Sequence, residues 1–221
     1  GLVGGLGHVG GAPDPGRLLR EIRRVLAPDG LAVLSTPIRS PSGVITDPTH
    51  LREYAPQEFR EELLAAGRLD GAQQFFTRAY DFGFSKNLTD TWAHWPRDSV
   101  LKDVVRTIRR FRPQIVVSIF SGTPRDGHGQ HQAAGWAAQE AFRVAGDSAV
   151  FPELLAEEGL APFSPFKLYR SARFDSAATT LTLDSGVLDP AVGQSFHQIA
   201  MRGRSLHRSQ DMGMLQDLGP S

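Results

Sequence analysis

Cysteine is absent from the 221 residues, which removes disulfides and thiolate metal ligands together. Any metal ion must then be held by His, Asp or Glu. The redox compartment stays open, because a cysteine-free chain survives in either. No apolar run approaches the roughly 18 residues that suggest a membrane span. No charge sign predominates, with 24 basic residues against 24 acidic ones. That balance argues against a dedicated nucleic-acid binder, which carries a basic excess. Arg106, Arg109, Arg110 and Arg112 do cluster, and they read as the solvated face of a helix. The opening Gly1-Leu2-Val3-Gly4-Gly5 has neither an initiator Met nor a signal-peptide pattern. It predicts a truncated N-terminus and a cytoplasmic location. Internal repeats and low-complexity tracts are also missing.

What is present is enough apolar residue, 40%, for one large domain or two small ones. Asp14-Pro15 opens a helix by capping, and Leu18, Leu19, Ile22, Val25 and Leu26 form its apolar face. Pro28-Asp29-Gly30 ends it, and residues 31–36 read as a buried strand. A polar loop runs from Pro37 to about Tyr54, and Pro56 opens a second helix that stops at Gly67. Residues 75–84 are aromatic-rich and read as strand or loop. Ser99–Phe111 is a strongly amphipathic helix, broken by Arg112-Pro113, and residues 115–120 are the clearest strand. Further elements are a helix from Gln132 to Val144, strands at 166–169 and 179–183, and a helix from about Gln194 to His207. The alternation predicts an α/β fold, a Rossmann-like parallel sheet flanked by helices and incomplete at its N-terminal side.

Candidate chemistry centres on Asp126-Gly127-His128-Gly129-Gln130-His131. Two imidazoles three apart follow a buried strand, on a loop that falls where ligands bind in parallel sheets. Neutral imidazole is a common zinc ligand. The bland alternative is a pair of exposed loop histidines, or His131 capping the next helix. Trp92, Trp95 and Trp136 either line a sugar site or simply pack, while Asp184, Asp189 and His197 read as loop and surface residues. Gly5-x-Gly7-x-x-Gly10 fits a nucleotide loop, but no strand precedes it and the helix begins too late.

The stretch 104–146 resembles the PIG-L or LmbE-like de-N-acetylases. It does so through Arg112-Pro113-Gln114-Ile115-Val116-Val117, His128-Gly129-Gln130-His131 and Ala133-Ala134-Gly135. Asp81-Phe82-Gly83-Phe84, residues 195–199 and residues 204–210 are similar to other parts of that family, so the likeness covers roughly 68–221. It implies a hydrolase that deacetylates an N-acetylglucosaminyl-type small molecule, with His131 as a zinc ligand and His128 acting on the tetrahedral intermediate. It also implies substrate contacts at Asp126, His207, Ser209 and Gln210. For the last three the alternative is a helix C-terminal turn. The family's other ligands and its general base come from an early Ala-His-Pro-Asp-Asp-Glu segment that this chain does not contain. Asp47 and His50 are the nearest substitutes. Zinc is therefore expected to be weakly held and activity impaired.

In place of that segment, 14–67 resembles the C-terminal half of a class I S-adenosylmethionine-dependent methyltransferase. The residues concerned are 18–26, Pro28-Asp29-Gly30, Ser35-Thr36-Pro37 and His50-Leu51-Arg52-Glu53-Tyr54. The cofactor-binding half is absent, so no S-adenosylmethionine binding is expected. The two resemblances predict a chimera with domains 1–67 and 68–221, joined near Glu62–Asp70. The alternatives to the deacetylase are a methyltransferase-derived fragment and a catalytically inactive fold.

Overall fold

A computed structural model describes residues 2–5, 32–35, 56–172 and 176–206. The expected helix over 14–26, the loop over 37–54, Asp47, His50, His207, Ser209 and Gln210 lie outside the described residues.

The described chain falls into two compact units. The first holds strands β1 (Leu2–Gly5) and β2 (Ala32–Ser35), then helices α2 (Leu88–His94) and α3 (Arg97–Phe111). It continues through β3 (Ile115–Ser118), α4 (Gly129–Val144), the short α5 (Glu153–Ala156) and β4 (Lys167–Arg170). Strands β3 and β4 pair in parallel, Val116 opposite Leu168 and Ser118 opposite Arg170. β1 pairs with β2 and lies against β3. Helices α3 and α4 pack on each other, and α4 also covers β3. This is the parallel α/β arrangement with flanking helices.

Its core follows from the periodicity of α3. Leu101, Val104, Val105 and Ile108 fall on one face and meet Val116 of β3 and Ala137, Ala141 and Val144 of α4. Alanine on α4 brings its backbone close to α3 and to the strand. Arg112 caps α3 in the left-handed region (φ 52°), donating its N–H to Ile108 O, and Pro113 prevents continuation.

The second unit contains α1 (Pro56–Asp70), a β5–β6 hairpin (Leu188–Asp189 with Gln194–Ser195) and α6 (Phe196–Arg204). Helices α1 and α6 pack together. Ser195 begins α6 with a capping box, its hydroxyl accepting from Gln198 N while the Gln198 side chain accepts from Ser195 N.

Several expectations shift. Helix α1 runs on to Asp70, three residues past Gly67. Residues 179–183 are irregular instead of a strand, while the aromatic stretch 75–84 takes the loop alternative, its backbone bonding to side chains. Asp189 is buried in the hairpin, its side chain accepting from Ala191 N. Among the arginines, Arg109 is not on a solvated face. It is 2% exposed and donates to the carbonyls of Ala145, Asp147, Val150 and Phe151. Arg106 and Arg110 pair with Glu158, and Arg112 lies over the Phe163 ring. These partners account for the cluster without a polyanion. Among the described residues no helix is long and apolar enough to cross a membrane.

Candidate active site

The chain leaves β3 at Ser118, turns through a short 3₁₀ segment (Pro124–Asp126) and enters α4 at Gly129. His128 is the N-cap residue of α4, and His131 lies in the first helical turn instead of on the loop. The helix begins three residues before the expected Gln132 because Gly129 can approach closely. A Cβ there would sit 2.6 Å from the carbonyl carbon of Asn87, and closer still to Asn87 O and Thr91 Oγ1. Gly129 N donates to Ser85 O at 2.9 Å, docking the start of α4 beside the start of α2. Gly135 allows a similar approach nearly two turns up, where a Cβ would lie 2.9 Å from the carbonyl carbon of Phe120.

The spacing of three puts both imidazoles on one side of the helix start. Their ring centroids are 3.7 Å apart with planes 33° from parallel. His131 in turn stacks on Phe120 at 4.0 Å, and Phe84 meets His128 edge-on at 5.8 Å. The four rings form a column running outward from the core. Phe120 and His131 are buried, His128 is half-buried and Phe84 is exposed.

The tautomer of His131 follows from its partner. Nδ1 lies 2.9 Å from the peptide carbonyl of Asp126, and a carbonyl only accepts. Nδ1 therefore carries the hydrogen, and in the neutral ring Nε2 is the acceptor. That is the usual arrangement of a metal-ligating histidine, whose other nitrogen donates to a carbonyl or carboxylate. His131 Nε2 and His128 Nδ1 are both shielded from solvent.

Asp126, 5% exposed, turns its carboxylate into its own loop. One oxygen accepts from Ser121 N and Oγ, the other from Gly122 N and Thr123 N. Gln132 reaches back to Gly127 O at 2.9 Å, so two consecutive carbonyls of the turn are held by α4 side chains. Gln130 bonds Gly83 O and accepts from Ser85 Oγ, which is also bonded to Thr91 Oγ1 at 2.7 Å. Gln130, Gln132, Ser85, Thr91 and Phe120 were missed by sequence reasoning. The available signal was a pair of amides flanking His131 at a helix start.

Trp92 and Trp136 pack edge to face at 5.1 Å, with Arg97 over Trp136. Trp95 is buried and donates to Tyr80 O. Zinc was expected here. His131 suits one ligand position, yet among the described residues no group of three His, Asp or Glu side chains could hold a metal ion. The described residues thus offer a ligand without a ligand set.

The imidazoles lie beyond the carboxyl end of a parallel strand, the place where α/β folds commonly bind ligands. Residues 35–142, just under half of the chain and including both histidines, match the sequence profile of the GlcNAc-PI de-N-acetylase (PIG-L) family. In structure the chain is similar to N,N'-diacetylchitobiose deacetylase from Pyrococcus horikoshii, at 17% identity and a TM-score of 0.56. That match covers 95% of this chain and 69% of the other. A conserved protein from Thermus thermophilus aligns at 18% identity and a TM-score of 0.50, over 94% of this chain and 78% of that one. At such identities the likeness is one of fold. No curated protein matches the chain in sequence.

Proposed function

We propose that this chain is a deacetylase-like hydrolase acting on the N-acetyl group of an amino sugar or its conjugate. The observation that carries the reading is the His128–His131 pair at the start of α4, ring centroids 3.7 Å apart, with the His131 tautomer set by Asp126 O. The PIG-L match over the same residues and the deacetylase fold likeness support it.

In amide hydrolysis water adds to the carbonyl carbon, the C–N bond breaks and the amine departs with a proton. His128, the outer of the two rings, is the group suited to deliver that proton to the amine nitrogen. His131 is the recessed ring, held by Phe120 and Asp126 O, and its Nε2 would be the zinc ligand. A bound divalent cation would polarise the amide carbonyl. Any other ligands would come from outside the described residues, and because the chain contains no Ala-His-Pro-Asp-Asp-Glu segment, weak metal binding and low turnover are part of the proposal. Substrate contacts by Asp126, His207, Ser209 and Gln210, and a junction between 1–67 and 68–221, are likewise proposals.

Acetate release from N-acetylglucosamine conjugates, measured with zinc added, tests the reading. Release abolished in His131→Ala supports it. No release by the wild-type chain with any divalent cation, or undiminished release by His131→Ala, would overturn it.

A further inference from the structure

Phe84 is 57% exposed, while both its neighbours are buried. Gly83 is fixed by its N–H to Asp81 Oδ1 and by its carbonyl to the Gln130 amide. Ser85 is fixed through its carbonyl to Gly129 N and through its hydroxyl to Gln130 and Thr91. Three of these bonds go to residues 129 and 130, which flank His128 on its helical side. The ring is thus held against His128 by its backbone on either side, although its own side chain faces water. A large apolar ring exposed this far forgoes much of the free energy its burial would give, and its tethers allow little retreat into the core.

We infer that Phe84 is a substrate platform: the apolar C–H face of a pyranose packs on its ring, setting the sugar beside His128. The inference rests on the proposed hydrolase reading for the location of the reacting amide. It adds the surface that separates a sugar amide from any other N-acetyl compound. Pockets that orient ligands are commonly lined by aromatic rings with a few polar groups. Here the aromatic ring and the imidazole meet edge to face, centroids 5.8 Å apart and planes 63° from parallel, so a sugar resting on the exposed ring would lie beside the imidazole.

Two ligands separate the contributions: methyl N-acetyl-β-glucosaminide, which has the sugar face, and N-acetylglycine, which has the amide without it. Binding to wild type, Phe84→Ala and Phe84→Trp is read by saturation-transfer NMR, with acetate release measured in parallel. The expected result is about tenfold weaker glucosaminide binding in Phe84→Ala, the factor that about 1.4 kcal/mol represents. N-acetylglycine should be unaffected, and Phe84→Trp should restore the sugar. Because the side chain is exposed, Phe84→Ala should melt within about 2 °C of wild type. Equal glucosaminide binding in wild type and Phe84→Ala overturns the inference and leaves the hydrolase reading intact. Equal losses for both ligands also overturn it, since the defect would then lie in the site as a whole. The predicted binding pattern with no acetate released supports the platform and overturns the hydrolase reading. Failure of wild type to bind the glucosaminide overturns the platform.

Discussion

Replacing Gly129 with alanine sets two effects of opposite sign against each other. Alanine is the better helix residue by up to about 1 kcal/mol, and Gly129 begins α4. The added methyl, however, would lie 2.6 Å from the Asn87 carbonyl carbon, with Asn87 O and Thr91 Oγ1 nearer. Ordinary carbon contacts fall at about 3.5–4.0 Å, so the starts of α2 and α4 must separate by about 1 Å. The obstacle is mainly backbone, which cannot swing aside like a long side chain. Overpacking of this kind costs about 1–3 kcal/mol. With contacts this short the cost falls at the upper end of that range, so a net of about 1–2 kcal/mol is lost. The melting temperature should then fall by about 2–8 °C, at roughly 2–4 °C per kcal/mol for a chain of this size. Activity should suffer more than stability, because His128 and Gln130 adjoin the displaced residue and a shift of about 1 Å at a site can cost about 100-fold. Thermal melts followed by circular dichroism and acetate release on the same samples measure both. A Gly129→Ala protein that melts higher than wild type with unchanged activity would refute the close approach of α2 and α4, and with it the account of why the helix begins at 129.

Other substitutions probe the contacts of α3 and the turn before α4. Burial alone would raise the Asp103 carboxyl, but hydrogen bonds from the Arg78 side chain and backbone and from Arg106 outweigh it and hold the group below the ordinary carboxylate value. A depressed folded value means stability that is present above about pH 4 and lost as pH falls through that value. Wild type should therefore exceed Asp103→Asn in urea melts at pH 7, and the gap should close at acid pH; a gap independent of pH would contradict the pairing. Arg109→Met keeps much of the volume but strands four carbonyls, and should cost about 2–4 kcal/mol by urea denaturation. A loss below about 0.5 kcal/mol would mean that Arg109 does not hold residues 145–151. Asp126→Asn replaces an acceptor oxygen with an amide donor facing Ser121 and Gly122–Thr123 N–H groups, and should lower both the melting temperature and acetate release. Wild-type values for both would refute the loop account.

The parts legible in the sequence share a physical basis. Helix α3 shows because four branched or long apolar residues repeat at its own period, and β3 shows because a continuous apolar run ends at a polar, glycine-containing loop. Helix α2, at seven residues with Thr91 its buried side chain, carries too little periodicity to read. The β5–β6 hairpin has two residues in each strand, shorter than any alternation can signal. The histidines were legible as a pair, but their stacking depends on the helix starting at Gly129. That start depends on Ser85 and Asn87, more than 40 residues earlier. Contacts so distant leave no local pattern. Arg109 misled for a similar reason, since its partners lie at 145–151 and the cluster around it is truly exposed or paired at the surface.

Asp126 serves the site through two chemically separate groups, and this separates loop geometry from the state of the ring. Its carboxylate holds residues 121–123, whereas its peptide carbonyl accepts from His131 Nδ1. Substitution removes the first and keeps the second. The hydrogen on Nδ1 is then set by a group that no side-chain change abolishes and that does not titrate, so Nε2 remains the acceptor nitrogen in every position-126 variant that preserves the turn. Loss of function at position 126 then arises without a change of tautomer, from displacement of the turn or from loss of the proposed substrate contact. Nitrogen-15 chemical shifts of the His131 ring read the tautomer directly. A tautomer unchanged in Asp126→Asn while activity falls fits a carbonyl lock. A switch to the Nε2-protonated form would show that the carboxylate, and not the backbone, governs the ring.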